Sequence, residues 1–238
     1  MMAGGKEIRR MNLDRTKTQQ ARHEPMAEIY SLIGVVDDRR DAGWERALLD
    51  NAWKAVFLVP GLDDGSAVCS LGGYPYLRLA LPRAGVDYTG YSLSSIAPHC
   101  LDKGVGVAIY VTESDQVASP FFLISLGGLD ALHRDGRFHE RRAYRDIADV
   151  VRPFTARALH RHLVAQYPTS YPMVRVTLSG EDRADVGISL GLDIGAMTPD
   201  QTEPAFDAME WCLPRGTTFR LLDVSAEGKD ITPLPELF

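Results

Sequence analysis

Only a few groups in this chain have the residue types for chemistry, and their spacing decides what each can do. His99-Cys100 sets an imidazole beside a thiol, the composition of a cysteine nucleophile and its base. Catalytic Cys–His pairs meet across a fold rather than along the chain, and nothing here signals a helix N-terminus that would activate Cys100. A buried thiol beside a surface histidine is therefore the preferred reading. His160-Arg161-His162 holds the one close histidine pair, with His133 and His139 upstream. Leu159, Leu163 and Gln166 recur at helical intervals, and helical residues two apart point to different faces, so the pair is mis-spaced for one ion. Gly104-Val105-Gly106 has two glycines of a dinucleotide fingerprint but precedes a strand where it should open a helix; close strand packing explains it better. The chain contains no Gly-x-Ser-x-Gly elbow. Cys69, Cys100 and Cys212 are far apart, odd in number and without a CxxC, which excludes a disulfide framework or a structural zinc site. Catalytic residues stay unknown at this level, and neither a cofactor nor a metal is expected.

The elements that would position such groups follow from periodicity and punctuation. Residues 1–24 are polar and unpatterned, a tail ahead of a helix over Pro25–Val36 with Met26, Ile29, Tyr30 and Ile33 on one face. Asp41 caps a second helix carrying Trp44, Leu48, Leu49 and Ala52. Strands are expected at Ala55–Pro60, Ser66–Leu71, Tyr74–Leu81, Val105–Thr112 and Phe121–Leu126, with Gly127-Gly128 ending the last and a short helix interrupted by Pro98 over Ser92–Leu101. Glu140 to Gln166 reads as helical, broken at Pro153. Val186, Ile188, Leu190, Leu192 and Ile194 alternate with Asp185, Gly187, Ser189, Gly191 and Asp193. That is a half-buried strand with one wet face, expected in an antiparallel sheet. A helix with Thr202 as N-cap and Phe206, Met209 and Leu213 on one face leads to a last strand at Thr218–Val224. The tripeptide Ser-Leu-Gly recurs at Ser70, Ser125 and Ser189 in flanks that do not align, so chance accounts for it better than a repeat.

The fold class is α+β, with mixed or antiparallel sheets, packed helices and two small units. The divisions are a tail at 1–24, an N-terminal unit at 25–150, a helical connector at 151–167 and a C-terminal unit at 168–238. With 238 residues, 45% of them hydrophobic, the chain buries a sizeable core without covalent staples. No run approaches the roughly 20 apolar residues of a membrane helix, and no apolar segment follows the basic N-terminus, so no membrane partner and a cytoplasmic location are expected.

The net charge of −6 conceals a gradient: residues 133–162 hold eight arginines against four acids, whereas residues 163–238 hold five bases and twelve acids, a net of −7. Arginine outnumbers lysine 21 to 5 throughout, so the basic middle reads as a solvated helical face and nucleic acid is not an expected partner. The acidic end is expected to present Glu181, Asp182, Asp185 and Asp193 to another protein, because acidic surfaces steer basic partners.

YPMVRVTL, DVGISLGLDI, CLPRGTTFRLLDV and the terminal PLPELF, within Tyr167–Phe238, resemble the C-terminal domain of the enhanced serine sensitivity (SseB) family of bacterial proteins, and LLDNAWKAVFLVPG is similar to the start of that family's N-terminal domain. The resemblance implies a non-enzymatic, protein-binding or regulatory role of adaptor or immunity type. A small-molecule hydrolase using His99, Cys100 or residues the sequence does not bring together is the competing reading. Chelator treatment is expected to leave the thermal melt unchanged; a large loss of stability that zinc restores would contradict the expectation that folding needs no metal.

Overall fold

A computed structural model describes residues 19–20, 23–62, 65–82, 89–111, 119–135, 147–179, 185–192, 197–215, 217–223 and 232–237. The fold is α+β, and the chain divides into one unit of Met1–Ser125 with Leu129–Phe138 and a second of Leu126–Gly128 with His139–Phe238. Among the described residues no helix is long and apolar enough to cross a membrane.

The first unit runs β1 (Gln19–Gln20), α1 (His23–Ile33), α2 (Ala42–Lys54), β2 (Val56–Phe57), β3 (Val68–Leu71), β4 (Tyr74–Leu81), β5 (Thr89–Ser92), α3 (Leu93–Lys103), β6 (Gly106–Val111), β7 (Phe122–Ile124) and α4 (Leu126–Asp135) from Leu129 on, the first turn of α4 at Leu126–Gly128 belonging to the second unit. The Asp41 carboxylate accepts the Trp44 backbone N–H at 2.8 Å and opens α2, satisfying a donor that the helix itself cannot. The Trp44 indole N–H donates to the Leu32 carbonyl at the end of α1, and its ring meets Phe121 and Phe122 edge-on at 5.9 and 6.0 Å. Arg40 lies over both Trp44 and Phe121, 5.0 and 4.9 Å from their centroids. Strands pair in the order β3-β4-β6-β7, with β4 and β6 parallel and the outer pairs antiparallel, while β1-β5-β2 form a second small sheet. Val107, Ala108 and Ile109 are all buried, which is why β6 reads as a continuous apolar run and not an alternating one.

The second unit holds α5 (Ile147–Val150), α6 (Pro153–Gln166), β8 (Met173–Ser179), β9 (Asp185–Leu192), α7 (Pro199–Cys212), β10 (Thr218–Asp223), β11 (Thr232–Pro233) and a 3-10 turn at Leu234–Leu237. The sheet order is β10-β9-β8-β11. Val174, Ile188, Leu190 and Leu192 are buried on one face, and the Phe206 and Phe219 rings, 6.1 Å apart, show that α7 lies on that same face.

Several expectations are corrected. The sheet of the second unit is mixed: β9 is antiparallel to β8 but parallel to β10, because α7 carries the chain back to the end at which β9 began. The wet face of β9 is drier than its alternation implies, for Ser189 is 4% exposed. Helix α7 is capped at Thr198, not Thr202; the Thr198 backbone N–H donates to Gln201 Oε1 at 2.8 Å, while the Thr202 hydroxyl donates back to the Pro199 carbonyl. Pro98 does not interrupt α3, since it sits on the exposed side, where the missing N–H costs least. Gly127-Gly128 do not end a strand but lie in the first turn of α4, and a Cβ at Gly127 would overlap the Leu213 carbonyl. Glycine is there for close approach. Gly106 serves the same end, as a Cβ would come within 2.7 Å of the Ile124 carbonyl oxygen.

Both units contain a helix, an antiparallel hairpin, a second helix and a strand parallel to the second hairpin strand. These are α2-β3-β4-α3-β6, with β2 and β5 interposed, and α6-β8-β9-α7-β10. The three Ser-Leu-Gly serines occupy unlike places, in β3, between β7 and α4, and in mid-β9, so they do not mark this topological repeat. Leu190→Asp should unfold the second unit, because Leu190 is fully buried and an unpaired carboxylate there costs several kcal/mol, roughly in proportion to its desolvation. An unchanged melting curve would mean that Leu190 is not in the core.

Candidate functional site

The strongest surface feature of the second unit is made by α7. Pro199 at the first helical position and the Thr198–Gln201 bond start the helix, and Ala205, Ala208, Met209, Trp211 and Cys212 bury one side of it. The spacing that buries those residues turns Asp200, Glu203, Asp207 and Glu210 outward, three or four residues apart and all exposed. Phe206 stands at the margin of this ridge, 38% exposed with its ring 6.1 Å from that of Phe219. None of the four carboxylates is ion-paired among the described residues. Like charges at these spacings cost an isolated helix about 0.2–0.5 kcal/mol per pair. Asp207 and Glu210 also oppose the negative end of the helix dipole, and no base in the last turn offsets them. The ridge thus stands against the helix's own preferences, and buried contacts must hold it. One is the Tyr167 hydroxyl, which donates to the Gln201 carbonyl at 2.7 Å from the end of α6. Burial raises the Tyr167 pKa and Asp207 adds to the rise, while a backbone hydrogen bond works against it.

The residues expected to form the acidic surface fall elsewhere. Glu181, Asp182 and Asp193 lie outside the described residues; Asp185 opens β9 opposite Ser179, and only its backbone is described. The α7 ridge was missed although its signal, an acid on each successive turn, is present in PDQTEPAFDAME. On the apolar face Met209 and Leu213 are buried as expected, whereas Phe206 is 38% exposed and Ala205 and Ala208 are buried in its stead.

The groups with catalytic composition do not converge. Cys100 is fully buried in α3, and burial pushes its thiol well above the usual range, so the thiolate a nucleophile requires is not formed at neutral pH. Cys212 is buried in the same way, with Arg161 opposing the rise only in part. Cys69, half-buried on β3, has its sulfur 3.6 Å from both the Tyr110 hydroxyl and the Tyr76 carbonyl, and burial together with Cys69 holds Tyr110 up at about 12. His160 and His162 are both half-buried on α6, and His162 packs edge-on against Trp211 at 5.4 Å. No group of three or more His, Cys, Asp or Glu side chains among the described residues could hold a metal ion. Of the arginine-rich segment, Arg134 pairs with the buried Asp130 within α4 and Arg152 lies 5.1 Å from the Phe154 centroid; residues 136–146 are outside the described set.

No protein-family model, curated protein or solved structure matches the chain.

The His162 environment generates a pH dependence. Desolvation, helped by Arg161, lowers its pKa from 6.5 to about 4, so the folded state takes up its proton later than the unfolded state does. The contribution to stability is complete above about pH 6.5 and is lost as pH falls toward 4, on the order of 2–3 kcal/mol in all. Melting temperatures measured between pH 7 and pH 4 should show this fall, and His162→Phe, which keeps an aromatic ring against Trp211, should remove that part of it. An unaltered pH profile in the variant would assign the acid sensitivity to other groups.

Proposed function

We propose that this chain is a non-catalytic protein-binding or regulatory module, and that α7 presents the docking ridge to a partner with a basic surface. The carrying observation is the run of four unpaired carboxylates on successive turns of one helix, maintained against like-charge repulsion, with Asp207 and Glu210 also set against the helix dipole. Negative charge for solubility alone is obtained at less cost by scattering acids or placing them in the first helical turn. Concentrated on one ridge beside a half-exposed Phe206, it supplies long-range steering together with a short-range apolar contact. The likeness of Tyr167–Phe238 to the enhanced serine sensitivity family, with the adaptor or immunity-type role it implies, supports the same reading. The burial of Cys100 and Cys212 weighs against a thiol hydrolase built on them.

The test couples capture to stability. After the partner is identified by pull-down from the native organism and mass spectrometry, association with Asp207→Lys/Glu210→Lys should slow about tenfold and lose most of its salt dependence. The same pair of changes should leave the melting temperature unchanged or raise it, since bases in the last turn complement the dipole and pair with Glu203 one turn back. Association that is indifferent to the double reversal would reduce the ridge to a solvated face.

A further inference from the structure

The two edges of the second sheet are finished differently. At one, β11 is two residues long, ends in Pro233 and runs into the 3-10 turn that buries Leu234. A short strand with a proline blunts an edge, because it offers little backbone to a further strand. At the other edge β10 runs for six residues without a proline, and among the described residues no backbone hydrogen bond reaches its outer side. Every second N–H and C=O of an edge strand points outward, so β10 is a template for one more strand. Its one base does not guard it, since the Arg220 Nε–H donates to the Ser189 hydroxyl at 3.0 Å, which draws the side chain inward toward β9. This edge also has a side wall. Under α7, Ile188, Leu190 and Leu192 of β9 are at most 1% exposed, whereas Phe219 and Leu221, in register beside Ile188 and Leu190, are only half-buried. Trp211 turns one flank of α7 to His162 of α6. Phe206 lies five positions earlier, about 140° round the helix, and so faces the other flank, where its ring meets Phe219. Glu203 and Glu210 are its i−3 and i+4 neighbours and stand exposed on that flank, unpaired among the described residues.

We infer that β10 takes up an extended segment of a partner protein as a fifth strand of this sheet. The inference rests on the reading of α7 as a docking ridge and specifies the partner's form. On the side facing α7 the segment carries an apolar residue between two bases, each two positions away. The apolar side chain packs among Phe206, Phe219 and Leu221, and the bases meet Glu203 and Glu210. The spacing agrees: seven helical residues rise about 10 Å and four strand residues about 14 Å, a difference that lysine or arginine side chains span. Main-chain bonds to β10 supply affinity, and the alternate side chains supply selectivity. A second copy of this chain fits less well, because antiparallel pairing of β10 with itself sets two α7 ridges on one face, acid beside acid.

The test uses the full chain and the peptide Thr-Lys-Thr-Ile-Thr-Lys-Thr, blocked at both ends. Titration calorimetry should show saturable binding, and the outward amides of β10 should exchange hydrogen more slowly once the peptide is added. Phe206→Ala, at an exposed position, should weaken binding about tenfold and leave the melting temperature nearly unchanged. Two further peptides separate strand addition from charge attraction, one N-methylated on its threonines and the other on its lysines and isoleucine. Only one of these amide sets can face β10, so one peptide should bind as the parent does and the other should lose binding. If both bind alike, or if β10 exchange is unmoved, the strand inference is overturned while the charged ridge stands. If no peptide binds, the inference is overturned as well, and the ridge is then judged separately by the Asp207 and Glu210 reversals. A dimer in sedimentation, with β10 amides protected before any peptide is added, would give the edge to a second copy and overturn it too.

Discussion

One helix can cover only one face of a four-stranded sheet, and the second unit is organised by that limit. Helix α7 closes over Val174, Ile188, Leu190 and Leu192 with a face of Ala205, Ala208 and Met209, whose small residues let it lie close. Everything else in the unit follows from where that contact leaves the remaining surfaces. The outer side of α7 must be polar and is acidic, whereas the far face of the sheet carries Gly187, Ser189 and Gly191 on the central strand, with Ser189 and, on the neighbouring strand, Leu222 buried. The acidic ridge is a consequence of that packing choice.

The crossover that places α7 also fixes the sheet's polarity. A hairpin needs only a tight turn, but a helix inserted after its second strand returns the chain parallel to that strand, and the same sequence of events occurs with α3 in the first unit. The glycines that looked like terminators belong to this packing. Gly106 lets β6 approach β7 and Tyr76, and Gly127 admits the backbone of Leu213 into the first turn of α4. Helix propensity opposes two consecutive glycines there by about 1 kcal/mol each, and tertiary contact overrides it.

Burial also sorts the reactive side chains. Two of the three cysteines are sealed in helices where their thiolates are disfavoured, and His162 is held neutral against Trp211. These groups contribute to packing, so the functional weight shifts to charged side chains at the surface, where they were read first as composition.

Much of the local structure was legible in the sequence, because it depends on neighbours along the chain. Asp41 as the cap of α2, the alternation of Ile188, Leu190 and Leu192, Pro153 at the start of α6 and the acid on each turn of PDQTEPAFDAME are all short-range patterns, and the α+β class follows from them. The first two are read directly, Pro153 is read only as a break within a helical stretch over Glu140–Gln166, and the last is visible but unread. What needed the tertiary structure depends on residues far apart. The parallel pairing of β9 with β10 cannot be read from the alternation of β9, which is the same beside a parallel or an antiparallel neighbour. The tolerance of Pro98 depended on which side of α3 is covered, and the meaning of Gly127 on a carbonyl 86 positions away at Leu213. Arg175, Ser189 and Arg220 lie 14 and 31 residues apart and become one row only through strand register. Periodicity states which face of an element is apolar; only packing states what lies against each face.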